Sequence, residues 1–378
     1  MSFDRSLLSE KLKKYRKQFK LSISELSEAT GIEIELLNAY ETEENVPSGD
    51  DILIIADFYK CDYKFFISNE KLASFEQTET LFRRHGNDFS KEDRWSIQEF
   101  LFLAESESYL LDALHKDQKQ PFVFSKTSNL HKNNGIEAAN KLIRHLNYKS
   151  NEVPMDIYKD FREIGIHTFR RRLKNSNISG MYIKHPIAGK CILINYSEDI
   201  YRQRFSAAHE AAHAILNDDE DGVIVSFKGI GKDYREVGAN YFASRYLMPI
   251  EFLNKIQDAR TWNQDKALLW ANKLKVSTEA LAYALKNANL IDDKVSKSIK
   301  AVKVRRGLKV DPELPDSLSP KSLIRKKYLM ERGLSSFYVN LCFESYRKEI
   351  ISTARMAEML LVEQCELYEI ADLYKEVF

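Results

Sequence analysis

The segment His209-Glu210-Ala211-Ala212-His213 constrains the fold of this 378-residue chain more than any other stretch. Two histidines four residues apart lie on one side of an α-helix, about one turn from each other, so both imidazoles can reach one metal ion. Glu210 is turned by about 100° from His209 and can lie beside an open coordination position. The segment therefore predicts an amphipathic helix that carries two metal ligands and a carboxylate for proton transfer.

A third metal ligand is predicted at Glu236, 23 residues after His213 and at the start of a second predicted helix. The span between them is long enough for a strand or loop that brings the second helix back antiparallel. A catalytic zinc ion commonly has three protein ligands and a water molecule whose pKa falls to about 7. A nearby carboxylate can take the proton of that water during attack on a peptide carbonyl and return it to the leaving amine. The alternative is a surface helix on which the two histidines share no metal.

Composition excludes several classes of protein. Hydrophobic residues make up 44% and charged residues 30% of the chain, which argues against disorder along its whole length. No apolar run exceeds about six residues, whereas a helix that crosses a bilayer needs about 20. The amino-terminal residues lack the apolar core of a signal peptide, and we expect a cytoplasmic protein. The cysteines lack paired spacing, which argues against disulfides and a thiolate zinc site; they are Cys61, Cys191, Cys342 and Cys365.

Four segments are predicted along the chain. Residues 1–68 form short helices, and residues 69–130 form a helical connector with a polar linker at 115–120. Stretches that favour β-structure appear within residues 131–290. Residues 291–378 begin with a basic connection that contains several prolines and continue as helices. We therefore predict one mixed domain with helical segments on both sides of it.

Local signals predict where the main helices and strands lie. Ser22 and Glu25 form a capping box, Gly31 ends that helix, and Ser90 with Asp93 caps a long helix. Around the histidine motif, the predicted strands are 164–169, 178–183, 191–195 and 223–227, and the predicted helices are 198–216 and 233–247. The motif helix is thus predicted to follow one strand and to precede a short strand and a second helix.

Three separated blocks together resemble the ImmA/IrrE metallopeptidases. That family has a strand that ends in Asn, a helix with HExxH, and a helix with E-x-x-A-N-x-F-A followed by L-M-P. The blocks in this chain are 192–195 (ILIN), 204–213 (RFSAAHEAAH) and 236–249 (EVGANYFASRYLMP). The resemblance is specific because three blocks agree in order, and it covers residues 135–285.

The resemblance implies a zinc ion held by His209, His213 and Glu236, with Glu210 as general base. Asn240 lies one turn beyond Glu236 and is predicted either to hydrogen-bond a ligand or to pack as an amide between helices. The implied fold is mainly α, with a small β-sheet in a zincin-like α+β peptidase domain, an all-α N-terminal domain and a helical C-terminal extension. A donor for the oxyanion is also needed, and the candidates are Tyr234, Tyr246, Arg245, His167 and His185.

A second resemblance lies near the amino terminus. The block 21–32 (LSISELSEATGI), continued by Tyr-Glu at 40–41 and Pro-Ser at 47–48, resembles the XRE/Cro-type helix-turn-helix. The spacing of these residues fits that family over residues 5–67. The resemblance implies a compact helical fold and, because members of that family commonly bind DNA, a role in DNA binding.

The charges of this module argue against DNA as its partner. Residues 21–59 contain ten acidic side chains and no Lys or Arg, whereas DNA affinity depends mainly on cations placed against phosphates. The predicted recognition helix offers Glu33, Glu35 and Asn38, which favour a protein partner or self-association. A solvated acidic face is the alternative. Residues 294–332 have the opposite sign, with twelve Lys or Arg against four Asp or Glu, and form either a solvated face or a docking surface for the acidic module.

The leading interpretation is a cytoplasmic zinc endopeptidase that cleaves a partner protein. The resemblance implies a repressor or antitoxin-like regulator encoded nearby, in a stress or phage-defence setting. The alternative is a helix-turn-helix transcriptional regulator or protein-binding sensor that uses the peptidase fold as a scaffold. An intact Glu210 favours the enzyme, because a scaffold has no need of that carboxylate. The sequence leaves open the substrate, the activating signal and the oligomeric state, for which a homodimer is one candidate.

Overall fold

The structure is a computed structural model that describes residues 4–69, 81, 88–116, 122–217, 222–227, 234–315 and 317–378. The chain divides into two compact units, Met1–Leu103 and Ala104–Phe378. Most of the predicted linker at 115–120 lies outside the described residues. The boundary between the units falls within one long helix, later in the chain than the first predicted border at residue 68. The four predicted segments therefore stay a prediction.

The described part of the first unit begins with helices α1 (Arg5–Gln18), α2 (Ile23–Thr30), α3 (Ile34–Glu41), α4 (Gly49–Phe58) and α5 (Lys64–Ile67). The predicted capping box is confirmed: Ser22 Oγ accepts the N–H of Glu25 at 3.1 Å, and the Glu25 carboxylate accepts the N–H of Ser22 at 2.8 Å. Gly31 ends α2 in the left-handed region, with φ at 73°, where a side chain would be strained. Local sequence signals thus fix the turn between α2 and α3.

Helix α6 (Lys91–Ala113) contributes its first turns to the core of the first unit. The ring centroid of Trp95 lies 4.5 Å from that of Phe19 on the first turn after α1. The predicted cap of α6 is confirmed, since Ser90 and Asp93 exchange two hydrogen bonds of 3.1 Å. Because Trp95 packs on Phe19, the start of α6 belongs to the aromatic core of the first unit.

The strands β1 (Ile166–Arg171), β2 (Ile178–His185), β3 (Gly189–Asn195) and β4 (Val223–Phe227) form a four-stranded sheet in the second unit. The order is β1-β3-β2-β4, with β1 parallel to β3 and β2 antiparallel to both β3 and β4. The first strand begins two residues later than predicted, because Gly165 turns the chain with φ at 82°. A small mixed sheet within a mainly helical chain confirms the predicted fold class.

The helices packed around this sheet are α7 (His131–His145), α8 (Ile157–Glu163), α9 (Ile200–Leu216) and α10 (Tyr234–Leu247). Helix α9 packs on β2 and β3, and α10 packs on both α9 and α7. Small side chains on α9 allow this close approach, and the fully buried ones are Ala207, Ala208, Ala211, Ala212 and Ala214. The motif helix is therefore held on two sides, by the sheet and by α10.

Asn195 ties the end of β3 to the start of β2. Its Nδ2 donates to the carbonyl of Ile178 at 2.8 Å, and its Oδ1 accepts the backbone N–H groups of Leu173 at 3.1 Å and Ser197 at 3.0 Å. The side chain is fully buried, so these bonds replace the ones it would make with water. The amide thus fixes the strand ends from which the chain enters α9.

The second unit continues with α11 (Ile250–Leu253), α12 (Gln264–Leu274), α13 (Thr278–Asn287), α14 (Asp293–Lys300), α15 (Pro320–Glu331), α16 (Ser336–Arg347), α17 (Thr353–Met359) and α18 (Leu367–Tyr374). Helix α16 packs on β1, where the rings of Tyr338 and Phe169 meet edge to face at 5.6 Å. The predicted helical C-terminal extension is thus confirmed. Within the described ranges, no helix is both long enough and apolar enough to cross a membrane.

Candidate metal centre

Helices α9 and α10 bring the three predicted ligands together. His209 and His213 lie on consecutive turns of α9, and Glu236 lies in the first turn of α10. Nε2 of His209 lies 3.0 Å from Oε2 of Glu236, and Nε2 of His213 lies 3.4 Å from Oε1. One ligand atom from each residue lies within 4.8 Å of the other two. Two imidazoles and one carboxylate that converge on a point match the donor set of many catalytic zinc sites.

The charge of Glu236 suits this role. Burial raises the pKa of its carboxyl, but hydrogen bonds from His209 and His213 and their positive charge outweigh burial and hold the pKa well below the usual range. The carboxylate is therefore ionised at neutral pH, as a metal ligand must be.

Asn240 contacts the side of His209 that faces away from Glu236. Its Oδ1 lies 3.2 Å from Nδ1 of His209. This oxygen can accept an N–H at Nδ1, and in that tautomer the lone pair of Nε2 would be free to bind a metal ion. The amide thus lies within hydrogen-bonding distance of a predicted ligand, and its role stays a prediction.

Glu210 lies beside the ligands and against β2. Its side chain is fully buried, and neither carboxylate oxygen hydrogen-bonds another described residue. Burial raises the pKa of Glu210, while the charges of His209 and His213 oppose this shift. A Cβ at Gly180 on β2 would lie 2.9 Å from Cγ of Glu210 and 3.0 Å from Oε1. A glycine at this position of β2 therefore provides the space for the carboxylate.

A cleft of about 310 Å³ opens at the ligands. Its lining includes Ser179, Arg202, Phe205, Ser206, His209, Glu210, Ser226, Phe227, Glu236 and Asn240. The Ser226 hydroxyl on β4 is close enough to Glu210 to lower the pKa of the Glu210 carboxyl. The geometry between the two groups is nevertheless too poor for a hydrogen bond, and this buried hydroxyl has no other hydrogen-bond partner among the described residues. The cleft thus gives a substrate access to the ligands, to the buried carboxylate and to the edge strand of the sheet.

None of the predicted oxyanion donors belongs to the described lining of the cleft. These donors are Tyr234, Tyr246, Arg245, His167 and His185. Tyr246 is buried and donates to Asp160 at 2.7 Å. Arg245 donates through Nε to Asn140 at 2.6 Å. These bonds join α10 to α8 and α7, so the two side chains serve the packing of the domain.

The sequence did not reveal a polar cluster at the cleft. Buried Glu198 accepts hydrogen bonds from Ser179 at 3.2 Å, Ser206 at 3.1 Å and Nε of Arg202 at 3.0 Å. The cluster links β2 to the first half of α9. The one sequence signal for this contact was Gly180, next to Ser179, because a glycine inside a strand often marks the close approach of another segment.

The predicted partner-binding residues lie in the first unit and are exposed. Glu33 precedes α3, and Glu35 and Asn38 lie on it. Ile34 between them is 41% exposed. This surface combines acidic, amide and apolar side chains, and α2, α3 and α4 contribute no Lys or Arg to it.

Comparison with known families agrees with this geometry. Residues 161–286 match the Peptidase_M78 model, described as an IrrE N-terminal-like domain, and residues 12–66 match the HTH_3 helix-turn-helix model. A search of curated proteins gave no significant match. The first matched range contains the sheet, the motif helix and α10. The chain therefore contains an IrrE-like domain of a metallopeptidase family behind an N-terminal helix-turn-helix domain of the XRE type.

Proposed function

We propose that the chain is a zinc-dependent endopeptidase that cleaves a partner protein. The observation that carries this proposal is the convergence of His209, His213 and Glu236 within 4.8 Å, beside the buried Glu210. The match of residues 161–286 to a metallopeptidase family supports it independently.

His209 and His213 would hold the metal through Nε2, and Glu236 would hold it through a carboxylate oxygen. Zinc in such a set supplies a Lewis acid that polarises a peptide carbonyl and activates water. The buried carboxylate of Glu210 fits the same interpretation. A buried polar group without a hydrogen bond is costly, and such groups persist where function requires them.

Glu210 acts as the general base in this proposal. Its carboxylate accepts a proton from the attacking water and then donates that proton to the amine nitrogen of the leaving peptide. Gly180 leaves the space that this carboxylate occupies, and Asn240 keeps the ring of His209 in one orientation. The roles of these residues are thus binding, positioning and proton transfer within one cleft.

The proposed substrate is a cytoplasmic protein, such as a regulator encoded nearby. Glu33, Glu35 and Asn38 would contact this partner or a second copy of the chain. Their acidity favours a basic protein surface over a phosphate backbone, because phosphates repel carboxylates. The match of residues 12–66 to a helix-turn-helix family favours a second candidate function, a transcriptional regulator in which the peptidase fold is a scaffold.

Metal analysis tests the ligand set. We expect about one zinc per chain in the wild type and in Glu210→Gln, and little in His209→Ala, because only the last removes a ligand. His145→Ala is the matched control, since His145 is exposed on α7 and lies outside the ligand cluster. Undiminished zinc in His209→Ala would place the metal elsewhere and overturn the proposal.

Proteolysis separates the two candidate functions. Newly formed protein N-termini are compared in cells that express the wild type or Glu210→Gln. An endopeptidase produces N-termini that are absent with Glu210→Gln, because that variant lacks the proton carrier. Identical sets of N-termini would favour the scaffold.

A further inference from the structure

A row of exposed cations lies in the second unit, in and just after α14. This basic strip consists of Lys294, Lys297, Lys303, Arg305 and Arg306. Residues 294–310 contain no Asp or Glu. Among the described residues, no side chain of the strip forms an ion pair or a hydrogen bond.

The acidic residues nearest in sequence already have partners. Asp292 caps α14 and accepts the N–H of Val295 at 2.8 Å. Asp293 forms an ion pair with Lys286. The strip therefore keeps its charge in the folded chain.

Other cations of residues 294–332, the basic region, are used by the fold. Lys309 lies 3.1 Å from Asp199, and Nε of Arg325 lies 3.3 Å from Glu369. Lys326 is buried, with only 7% of its surface exposed. The basic region thus contains structural cations and, in the strip, cations that pair with none of the residues that the structure describes.

The backbone of the strip is firmly packed. Ile299 is fully buried and Val304 is 6% exposed. The Thr278 hydroxyl donates to the carbonyl of Val302 at 2.5 Å. The apolar side chains between the cations therefore point inward, and the cations themselves occupy the outer side.

The length of the strip allows contact with several phosphates. Lys294 and Lys297 are three residues apart in α14, on one side of the helix. The helical part rises by about 9 Å, and residues 301–306 extend the strip by at most about 20 Å. Phosphates of one DNA strand follow each other every 3.4 Å along the axis, so several lie within that length. Tyr283, 50% exposed beneath Nζ of Lys300, offers an aromatic face beside the strip.

We propose that the basic strip binds the phosphate backbone of duplex DNA without reading its sequence. Unneutralised like charges repel one another, and a polyanion relieves this repulsion and releases counterions on binding. A protein partner fits less well, because protein interfaces are built around a buried apolar centre with polar residues at the rim. The exposed apolar side chains here, Leu308 and Val310, lie beyond the cations and not between them. The DNA contact then lies in the unit that contains the peptidase domain and not on the acidic helix-turn-helix. The proposal does not depend on peptidase activity.

The test measures binding of the full chain to a fluorescent mixed-sequence duplex of about 30 bp at several salt concentrations. Five phosphate contacts predict a slope of about −4.5 in a plot of log K against log salt. Arg305→Glu/Arg306→Glu should weaken binding by about tenfold or more and reduce the slope by about 2. Lys321→Glu/Lys327→Glu is the matched control. It reverses two exposed cations on α15 and so changes the net charge by the same amount, but it leaves the strip intact and should bind as the wild type does.

Several outcomes would overturn the proposal. These are a wild type that does not bind the duplex at low salt, equal losses in the two double variants, and a slope unchanged in Arg305→Glu/Arg306→Glu. Poly-glutamate that competes as well as DNA at equal charge would assign the strip to an acidic protein. Arg305→Gln/Arg306→Gln repeats the test with a milder change if the first variant fails to fold. Glu210→Gln should bind the duplex normally, which separates this result from the proposed proteolysis.

Discussion

The carbonyl oxygen of Gly238 lies 2.1 Å from the position that a Cβ at Gly135 would occupy. Helices α7 and α10 therefore cross with their backbones in contact. Glu236 lies on α10 just before Gly238, so the position of the third proposed ligand depends on a glycine of another helix.

Gly135→Ala is expected to destabilise the chain and to weaken zinc binding. Alanine normally favours a helix by about 1 kcal/mol over glycine, but here its methyl group would displace α10, at a cost of about 1–3 kcal/mol. Gly238→Ala is the milder comparison, because its Cβ would lie 3.1 Å from the carbonyl oxygen of His131, which is tight but far less so than 2.1 Å. Urea unfolding and zinc titration of both variants check this. Similar behaviour of the two would show that the contact does not position α10.

Gly180→Ala is expected to keep zinc and lose proteolysis. The added methyl group would lie 2.9 Å from both Cγ of Glu210 and the backbone carbonyl oxygen of Leu193 on β3. Because the backbone oxygen is held in the sheet, the methyl group would push the carboxylate out of place, whereas the three ligands are untouched. Gly307→Ala is the matched control, since no atom lies within 4 Å of its Cβ position. Metal content and cleavage of an identified substrate are measured side by side. Full activity of Gly180→Ala would contradict the tight contact.

Asn240→Ala is expected to lower the affinity for zinc by about 10- to 100-fold. The substitution removes the oxygen that lies 3.2 Å from Nδ1 of His209 and so frees the orientation of that ring. Asn240→Asp keeps the acceptor and should restore most of the affinity. Competition with a fluorescent chelator measures both. Equal losses in the two variants would indicate a packing role for Asn240.

The stability of the second unit is expected to fall in mild acid because of His185. Its Nδ1 accepts the backbone N–H groups of Ile187 at 3.2 Å and Ala188 at 3.0 Å, which an imidazolium cannot do. Burial, with a smaller contribution from the charge of His167, lowers the pKa of His185 to about 4. Between pH 6.5 and 4 the unfolded chain binds a proton that the folded chain does not. The stabilisation is therefore complete above about pH 6.5 and is lost as the pH falls toward 4.

Unfolding in urea at pH 7 and pH 5 measures this effect, with a chelator present so that metal release does not contribute. The wild type should lose about 2 kcal/mol from this residue between the two pH values. His185→Gln should be less stable at pH 7 and should show a smaller loss. An equal pH dependence in both proteins would assign the acid sensitivity to other groups.

The helix-turn-helix domain is expected to show no specific DNA binding. The full chain with Arg305→Glu/Arg306→Glu provides the background, because the basic strip would otherwise contribute its own affinity. Residues 21–59 present acids and no cation to a duplex, so phosphates are repelled. Glu33→Lys/Glu35→Lys in that background should gain salt-dependent affinity. Tight binding of one sequence before these two changes would show that the family pattern outweighs charge.

The sequence by itself determined the features that depend on neighbouring residues. The spacing of His209 and His213 places both rings on one side of a helix, and the hydrogen bonds between Ser22 and Glu25 span only three residues. Strand β4 has the predicted bounds, Val223–Phe227, because the residues that favour β-structure there are neighbours in the chain. These predictions need only the periodicity of helices and strands.

Only the tertiary structure decided how distant segments meet. The approach of Glu236 to the histidines, the contact of Gly180 with Glu210 and the packing of Trp95 on Phe19 join residues that the chain separates widely. No periodicity encodes such contacts, because close packing of whole helices and strands selects them. The same holds for the pairing of charged side chains. The number of cations in the basic region can be read from the sequence, but folding decides which of them acquire partners and which stay exposed.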